Sequence, residues 1–99
     1  MGTGSWLLEG KPGNRAFSSS CHGAGRLLSR SQAKKQIDGK AIKKELESRG
    51  IRVHANTPNI MSEEAPDAYK DVDEVINLSN SAGLTKPIAR LSPLAVIKG

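Results

Sequence analysis

Apolar and polar positions recur along this chain with periods that predict a short series of strands and helices. Ser5-Trp6-Leu7-Leu8 reads as a strand, and Gly10-Lys11-Pro12-Gly13-Asn14 breaks it as a turn. A serine run then carries the backbone, extended, into Cys21-His22. The glycines that follow are expected to open a helix over Arg26 to Lys35, with Leu27, Leu28 and Ala33 turned inward. Between Lys40 and Arg49, Ala41, Ile42, Glu45 and Leu46 share a helical face while Lys43, Lys44 and Glu47 point away. Gly50 stands where a left-handed cap ends such a helix, and Ile51 to Ala55 then alternates as a strand.

Asn56-Thr57-Pro58-Asn59 has the composition of a loop. Asp71 caps a third helix, and Glu74 three residues on has capping-box spacing. Val72, Val75, Ile76 and Ser79 give that helix its inner face, and Gly83 closes it. The last element, Ile88 to Ile97, is strand-like and interrupted by Ser92-Pro93, which suits an edge or a bend. The order strand, helix, helix, strand, helix, strand predicts a mixed α/β fold of the α+β kind, with no internal repeat.

Length and composition narrow this picture. At 99 residues the chain is at most one domain, and Trp6, Phe17 and Tyr69 are its only aromatics. So little bulk makes a thin core, and the chain reads as a piece of something larger that folds against a partner. Cys21 is the single cysteine, which rules out an internal disulfide and predicts an intracellular, cytoplasmic setting with Cys21 as a small buried filler. No leader peptide or membrane span is expected, since Met1 to Leu8 holds only a short apolar run. Trp6 occupies the place where an N-myristoylation motif needs serine, and Asn77-Leu78-Ser79, a glycosylation triplet, lies in a helical pattern.

Charge adds a partner class. The net charge is +5 and unevenly spread: Arg26 to Arg52 carries nine basic residues against Asp38, Glu45 and Glu47, whereas Glu63 to Glu74 carries six acids against Lys70. A basic stretch attracts polyanions, nucleic acid above all, and it also describes an ordinary solvated face.

The candidate chemistry centres on Cys21-His22-Gly23-Ala24-Gly25-Arg26. Adjacent Cys21 and His22 point to opposite faces of an extended segment, and His54 is the only other histidine, so a four-ligand zinc site lacks its donors. A nucleophilic Cys21 would need His54 through space. A phosphate cradle suits the residues better: Gly23 and Gly25 let a ligand reach the backbone amides, a helix opening there directs its dipole at the ligand, and Arg26 adds a permanent cation. An imidazole at such a helix start is held neutral and nucleophilic. On these residues alone, His22 reads either as that nucleophile or as a histidine capping a glycine turn.

Three separated stretches, SSSCHGAGRLLSRSQA (residues 18–33), EEAPDAYKDVDEV (63–75) and ARLSPLAVIKG (89–99), resemble the C-terminal part of the RtcB family of RNA-splicing ligases, as does the opening MGTGSWLLEG. The resemblance covers essentially the whole chain. It implies a partial RtcB-type fold, incomplete without an N-terminal part. It implies a GTP- and manganese-dependent ligase that joins RNA 2′,3′-cyclic phosphate or 3′-phosphate ends to 5′-hydroxyl ends, as in tRNA splicing and RNA repair. By that resemblance His22 takes GMP covalently, the backbone of Gly23, Ala24 and Gly25 holds it, and Lys98 contacts the nucleotide. Ser5 lines the pocket with Met1 at its edge, and Tyr69 lies close to the guanine, ordinary packing being the other reading of Tyr69. Arg26 and Arg30 fall near phosphates or the RNA path. Lys40, Lys43 and Lys44 fit an RNA track or plain surface.

The departures carry weight too. Lys11 to Phe17 is shorter than its counterpart in the family. The family's manganese ligands (a cysteine, an aspartate and several histidines) and its asparagine-rich nucleotide motif lie before this segment and are not in the chain. Phosphoryl transfer leans on metal ions to offset developing charge, so the chain alone is expected to be inactive. RNA, the missing N-terminal part and an archease-type activator are the partners implied. The competing expectation is a non-catalytic basic fragment that binds nucleic acid.

Overall fold

The computed structural model describes residues 1–99. It has the mixed α/β composition expected, with four α-helices and four short strands. Strand β1 (Ser5–Gly10) pairs antiparallel with β3 (Thr85–Leu91), and β2 (Arg52–Ala55) pairs in parallel with β4 (Ala95–Lys98). The helices are α1 (Arg30–Gln36), α2 (Gly39–Ser48), α3 (Pro58–Glu63) and α4 (Val72–Ser81).

Each helix start has a local cause. Ser29 caps α1 by accepting from Gln32 N at 3.3 Å, and the Gln32 side chain accepts from Ser29 N at 3.0 Å, which completes a capping box. Asp38 caps α2 and Asp71 caps α4 through side-chain oxygens that accept main-chain N–H groups. Thr57 caps α3, with Pro58 in the first helical turn, where its missing N–H leaves nothing unpaired. Gly50, at φ 78°, ends α2 in the left-handed conformation and turns the chain into β2.

The elements pack in two groups. Strands β1 and β3 lie with α4, while α2 and α3 pack on β2, which pairs with β4, and α1 packs on α3. The second group holds the core, built from Leu46, Ile51, Met61 and Val96, with Met1, Ile42, Val53 and Ala55 packed against it. Gly2 presses directly on this core: a Cβ there would stand 2.4 Å from Leu46 Cδ2. Arg49 Nη2 donates to Gly2 O at 2.9 Å and pins the same segment from the other side. Met1, next to this pinned segment, packs against the core and lines the cleft described below.

Several expectations are corrected. No helix opens at the glycines: residues 21–29 are irregular, and α1 begins only at Arg30. Leu27 is 65% exposed rather than turned inward. Four helices stand where three were expected, because Pro58–Glu63 is helical. The segment from Ile88 to Ile97 is two strands in two different sheets, separated at Ser92-Pro93. The serine run is not uniformly extended, since Phe17 and Ser18 both take positive φ (53° and 55°). In α2 the inner face is Ile42 and Leu46, with Ala41 and Glu45 exposed. Asp71 caps α4, but Glu74 forms no reciprocal bond.

Candidate functional site

A cleft of about 1170 Å³ is walled by both groups of elements. Strand β1 brings Ser5 and Trp6, the loop before α1 brings His22 to Leu27, the segment after α3 brings Glu64 to Asp71, and β4 brings Lys98. Met1, Ser5, His22, Gly23, Ala24, Gly25, Arg26, Arg30, Tyr69 and Lys98 all line it. Stretches far apart in sequence therefore meet at one hollow large enough to take a small ligand. Lys40, Lys43 and Lys44 sit elsewhere, exposed on α2.

The histidine loop is placed by pairing rather than by a helix. Arg26 bridges Tyr69 in antiparallel fashion, Leu27 N and Leu28 N donate to Ala68 O at 2.9 and 3.2 Å, and Lys70 N donates to Gly25 O at 3.0 Å. The loop is thus clipped to residues 68–70, which a 3-10 turn at Pro66–Ala68 delivers. Gly25 needs its glycine for conformation, at φ 81°. Gly23 is different: its φ is ordinary and no atom lies within 4 Å of the Cβ it lacks. Neither packing nor backbone conformation requires glycine at position 23, and the space in front of it belongs to the cleft.

His22 is exposed on the rim. With α1 starting at Arg30, the helix dipole expected to act on its imidazole is absent. Cys21 also lines the cleft and is exposed, which corrects the expectation of a buried filler.

Arg26 is engaged inside the protein. Its Nε donates to Leu28 O at 2.9 Å, its Nη1 to the Tyr69 hydroxyl at 2.7 Å, and its Nη2 to Glu63 O. Its guanidinium carbon lies 4.6 Å from the Tyr69 ring centroid. Arg30 is freer, with a side chain 71% exposed and a 3.5 Å contact to Glu63.

Glu64 was not singled out by its sequence, yet it is the electrostatic centre of the wall. Its Oε2 accepts from the Tyr69 hydroxyl at 2.7 Å and lies 3.8 Å from Lys98 Nζ, while its Oε1 lies 3.6 Å from Arg26 Nη1. Partial burial works against its charge, but the Tyr69 hydrogen bond and then Lys98, Arg26 and Arg30 outweigh that and hold the carboxyl below its usual range. Burial, followed by the hydrogen bond given to Glu64 and then the Glu64 charge, pushes the Tyr69 phenol above its ordinary value against the pull of Arg26. Tyr69 is therefore a wall residue with a bonded hydroxyl and stands outside the core cluster. The signals that could have found Glu64 are its place at the start of the family-like stretch 63–75 and an acidic pair followed by Ala-Pro.

Comparison with known proteins defines the class to which this cleft belongs. Residues 1–99 match the family model described as tRNA-splicing ligase RtcB. The chain is 52% identical over 99 residues to the RNA-splicing ligase RtcB of Mycobacterium tuberculosis, and 48% identical over 101 residues to the tRNA-splicing ligases RtcB of Methanopyrus kandleri and Thermococcus kodakarensis. All of this chain is covered in each case, against 23%, 10% and 21% of the respective relative. The chain belongs to the RtcB family, and it spans no more than about a quarter of the length of these relatives.

Proposed function

We propose that residues 1–99 are the C-terminal, guanylate-accepting segment of an RtcB-type ligase that joins RNA 2′,3′-cyclic phosphate or 3′-phosphate ends to 5′-hydroxyl ends. In this reading His22 is the residue that takes GMP. The single observation that carries it is the convergence of Met1, Ser5, His22, Gly23, Ala24, Gly25, Tyr69 and Lys98 on one cleft.

The residues present fit a nucleotide. Gly23 leaves open space beside His22, so a phosphate can approach the backbone closely. Lys98 and Arg30 offer cations with side chains 40% and 71% exposed. Tyr69 offers a ring whose hydroxyl is already bonded, and β1 contributes Trp6 to the same cleft. Bound GTP would supply the activated phosphate, and the chain supplies orientation and charge compensation. Arg26 serves chiefly to hold the histidine loop against Tyr69.

Manganese does not fit these residues. No three His, Cys, Asp or Glu side chains of the chain stand close enough together to hold an ion. The metal ligands are assigned to the part of RtcB-type enzymes that this chain does not span, and residues 1–99 alone do not ligate RNA. RNA ends, the remainder of the ligase and an archease-type activator are the partners in this reading, with the cytoplasm as its setting. No helix of the chain is long and apolar enough to cross a membrane.

A labelling experiment tests the proposal. With α-labelled GTP and Mn²⁺, and with the remainder of an RtcB-type ligase supplied as a second polypeptide, the chain acquires label, and His22→Ala abolishes it. Absence of label on the parent chain under those conditions overturns the reading.

Exposed Lys40 and Lys44, which take part in no ion pair, favour a second reading as a nucleic-acid-binding fragment. RNA affinity that falls steeply with salt and is untouched by His22→Ala, with no labelling, selects it.

A further inference from the structure

Tyr69 and Lys98 reach the cleft from unrelated parts of the chain, and one carboxylate touches both. We propose that Glu64 is the positioning residue of this cleft, fixing the Tyr69 phenol and the Lys98 ammonium as one polar wall against which a nucleotide is set. The inference rests on the nucleotide reading above and assigns Glu64 no contact with reacting atoms.

The backbone supports each member separately. Glu64 is the C-cap of α3, its N–H bonded to Ile60 O at 3.0 Å, and fully buried Ala65 and Ala68 anchor the segment that leads to Tyr69. Lys98 is held by the parallel pairing of β4 with β2, opposite Ala55. Nothing in either backbone couples the two side chains. That coupling passes through Glu64 Oε2, 2.7 Å from the Tyr69 hydroxyl and 3.8 Å from Lys98 Nζ.

The Glu64 side chain is 19% exposed, so water screens these interactions only in part. Oε1 faces Arg26 Nη1 at 3.6 Å, and Arg26 in turn donates to the same Tyr69 hydroxyl. The phenol is thereby held on both sides, with its proton given to Glu64 and its lone pair taken by Arg26. The Lys98 ammonium donates no hydrogen bond within the chain, so it is held near Glu64 while its protons stay available to an anion.

Removing the Glu64 charge has two opposed effects. It leaves Arg26, Arg30 and Lys98 less compensated, which favours any anion, and it releases the geometry, which disfavours a particular one. The positioning role predicts that geometry prevails.

The chain carries its own reporters, because Tyr69 is its only tyrosine and Trp6, on the same cleft, its only tryptophan. In the 99-residue chain, Glu64→Gln lowers the midpoint of tyrosinate absorbance toward the ordinary phenol range. GTP without metal quenches Trp6 fluorescence, and half-saturation rises about tenfold in Glu64→Gln, as the loss of one hydrogen bond to a charged group implies. Glu64→Asp restores part of the affinity.

An unmoved tyrosinate midpoint in Glu64→Gln with the parent's far-UV circular dichroism overturns the proposal, and so does GTP affinity equal to or tighter than the parent's. If Glu64→Gln loses its secondary structure, Tyr69→Phe replaces it: weaker GTP binding supports the wall, and unchanged binding refutes it. Absence of any GTP response in the parent refutes the nucleotide reading instead, and the tyrosinate titration then decides the role of Glu64.

Discussion

The indole N–H of Trp6 donates to Asp73 Oδ1 at 2.9 Å, which clamps β1 to the first turn of α4. Arg90 Nε approaches the same oxygen at 3.3 Å from β3, so one carboxylate joins all three elements of its group. Trp6 also lines the cleft, and this clamp sets where one wall stands.

The Trp6 bond, assisted by Arg90, holds the Asp73 carboxyl below its usual range. A depressed native pKa means that the unfolded chain takes up protons first as pH falls. The stabilisation is therefore complete above the ordinary carboxylate pKa and is lost as pH drops through the native value. Asp73→Asn is expected to lower the denaturant midpoint at neutral pH and to shrink the difference between neutral and acid midpoints. Trp6 fluorescence during denaturation measures both.

Leu46 is 1% exposed and belongs to a core cluster of only four residues. Leu46→Ala is expected to cost about 2–5 kcal/mol, since the cavity has few neighbours able to collapse into it. Chemical denaturation followed by circular dichroism reads the loss directly.

Two glycines should behave in opposite ways. A Cβ at Gly39 would stand 2.0 Å from Pro58 O, where α2 meets α3, so Gly39→Ala is expected to destabilise the fold or abolish it. A Cβ at Gly23 meets nothing within 4 Å, so Gly23→Ala should leave stability within about 0.5 kcal/mol of the parent. It should nonetheless weaken guanylate labelling of the chain. Denaturation and labelling on the same two variants separate the cases.

Ser79 Oγ and Thr85 Oγ1 form a buried pair at 2.8 Å between α4 and β3. Thr85→Val leaves the Ser79 hydroxyl buried without its partner, at an expected cost of about 1–3 kcal/mol. Adding Ser79→Ala to Thr85→Val is expected to recover part of that loss, and a double-mutant cycle by denaturation measures the coupling.

Much of the fold was legible locally. The strands at Ser5–Leu8 and Ile51–Ala55, the Asp71 cap and the left-handed Gly50 all rest on cues within a few residues, and each stands where the sequence places it. The helix expected from Arg26 is missing because Gly25 to Leu28 spend their backbone groups on Ala68 and Lys70, distant partners that no local pattern reveals. Its true start was written in Ser29 and Gln32, the spacing of a capping box. Asn56-Thr57-Pro58-Asn59 has the composition of a loop, yet Pro58 and Asn59 begin α3, because Thr57-Pro58 is also a helix start.

The candidate site divides in the same way. Motifs named the residues around His22, Tyr69 and Lys98, while their arrival at one cleft depends on the β2–β4 and β1–β3 pairings. Glu64 stands out only in three dimensions, because its partners are Tyr69, five residues on, and Arg26 and Lys98 from two distant segments.

The parallel union of β2 with β4 has a kinetic side. Two strands running in the same direction cannot be joined by a tight hairpin, and here everything from Asn56 to Leu94 intervenes between them. Closing so long an excursion precedes any reward from the ladder, so this pairing is slow to form compared with a hairpin. The lysine that completes the wall is carried by that pairing, so a chain in which the two strands have not yet met presents an unfinished hollow open on one side.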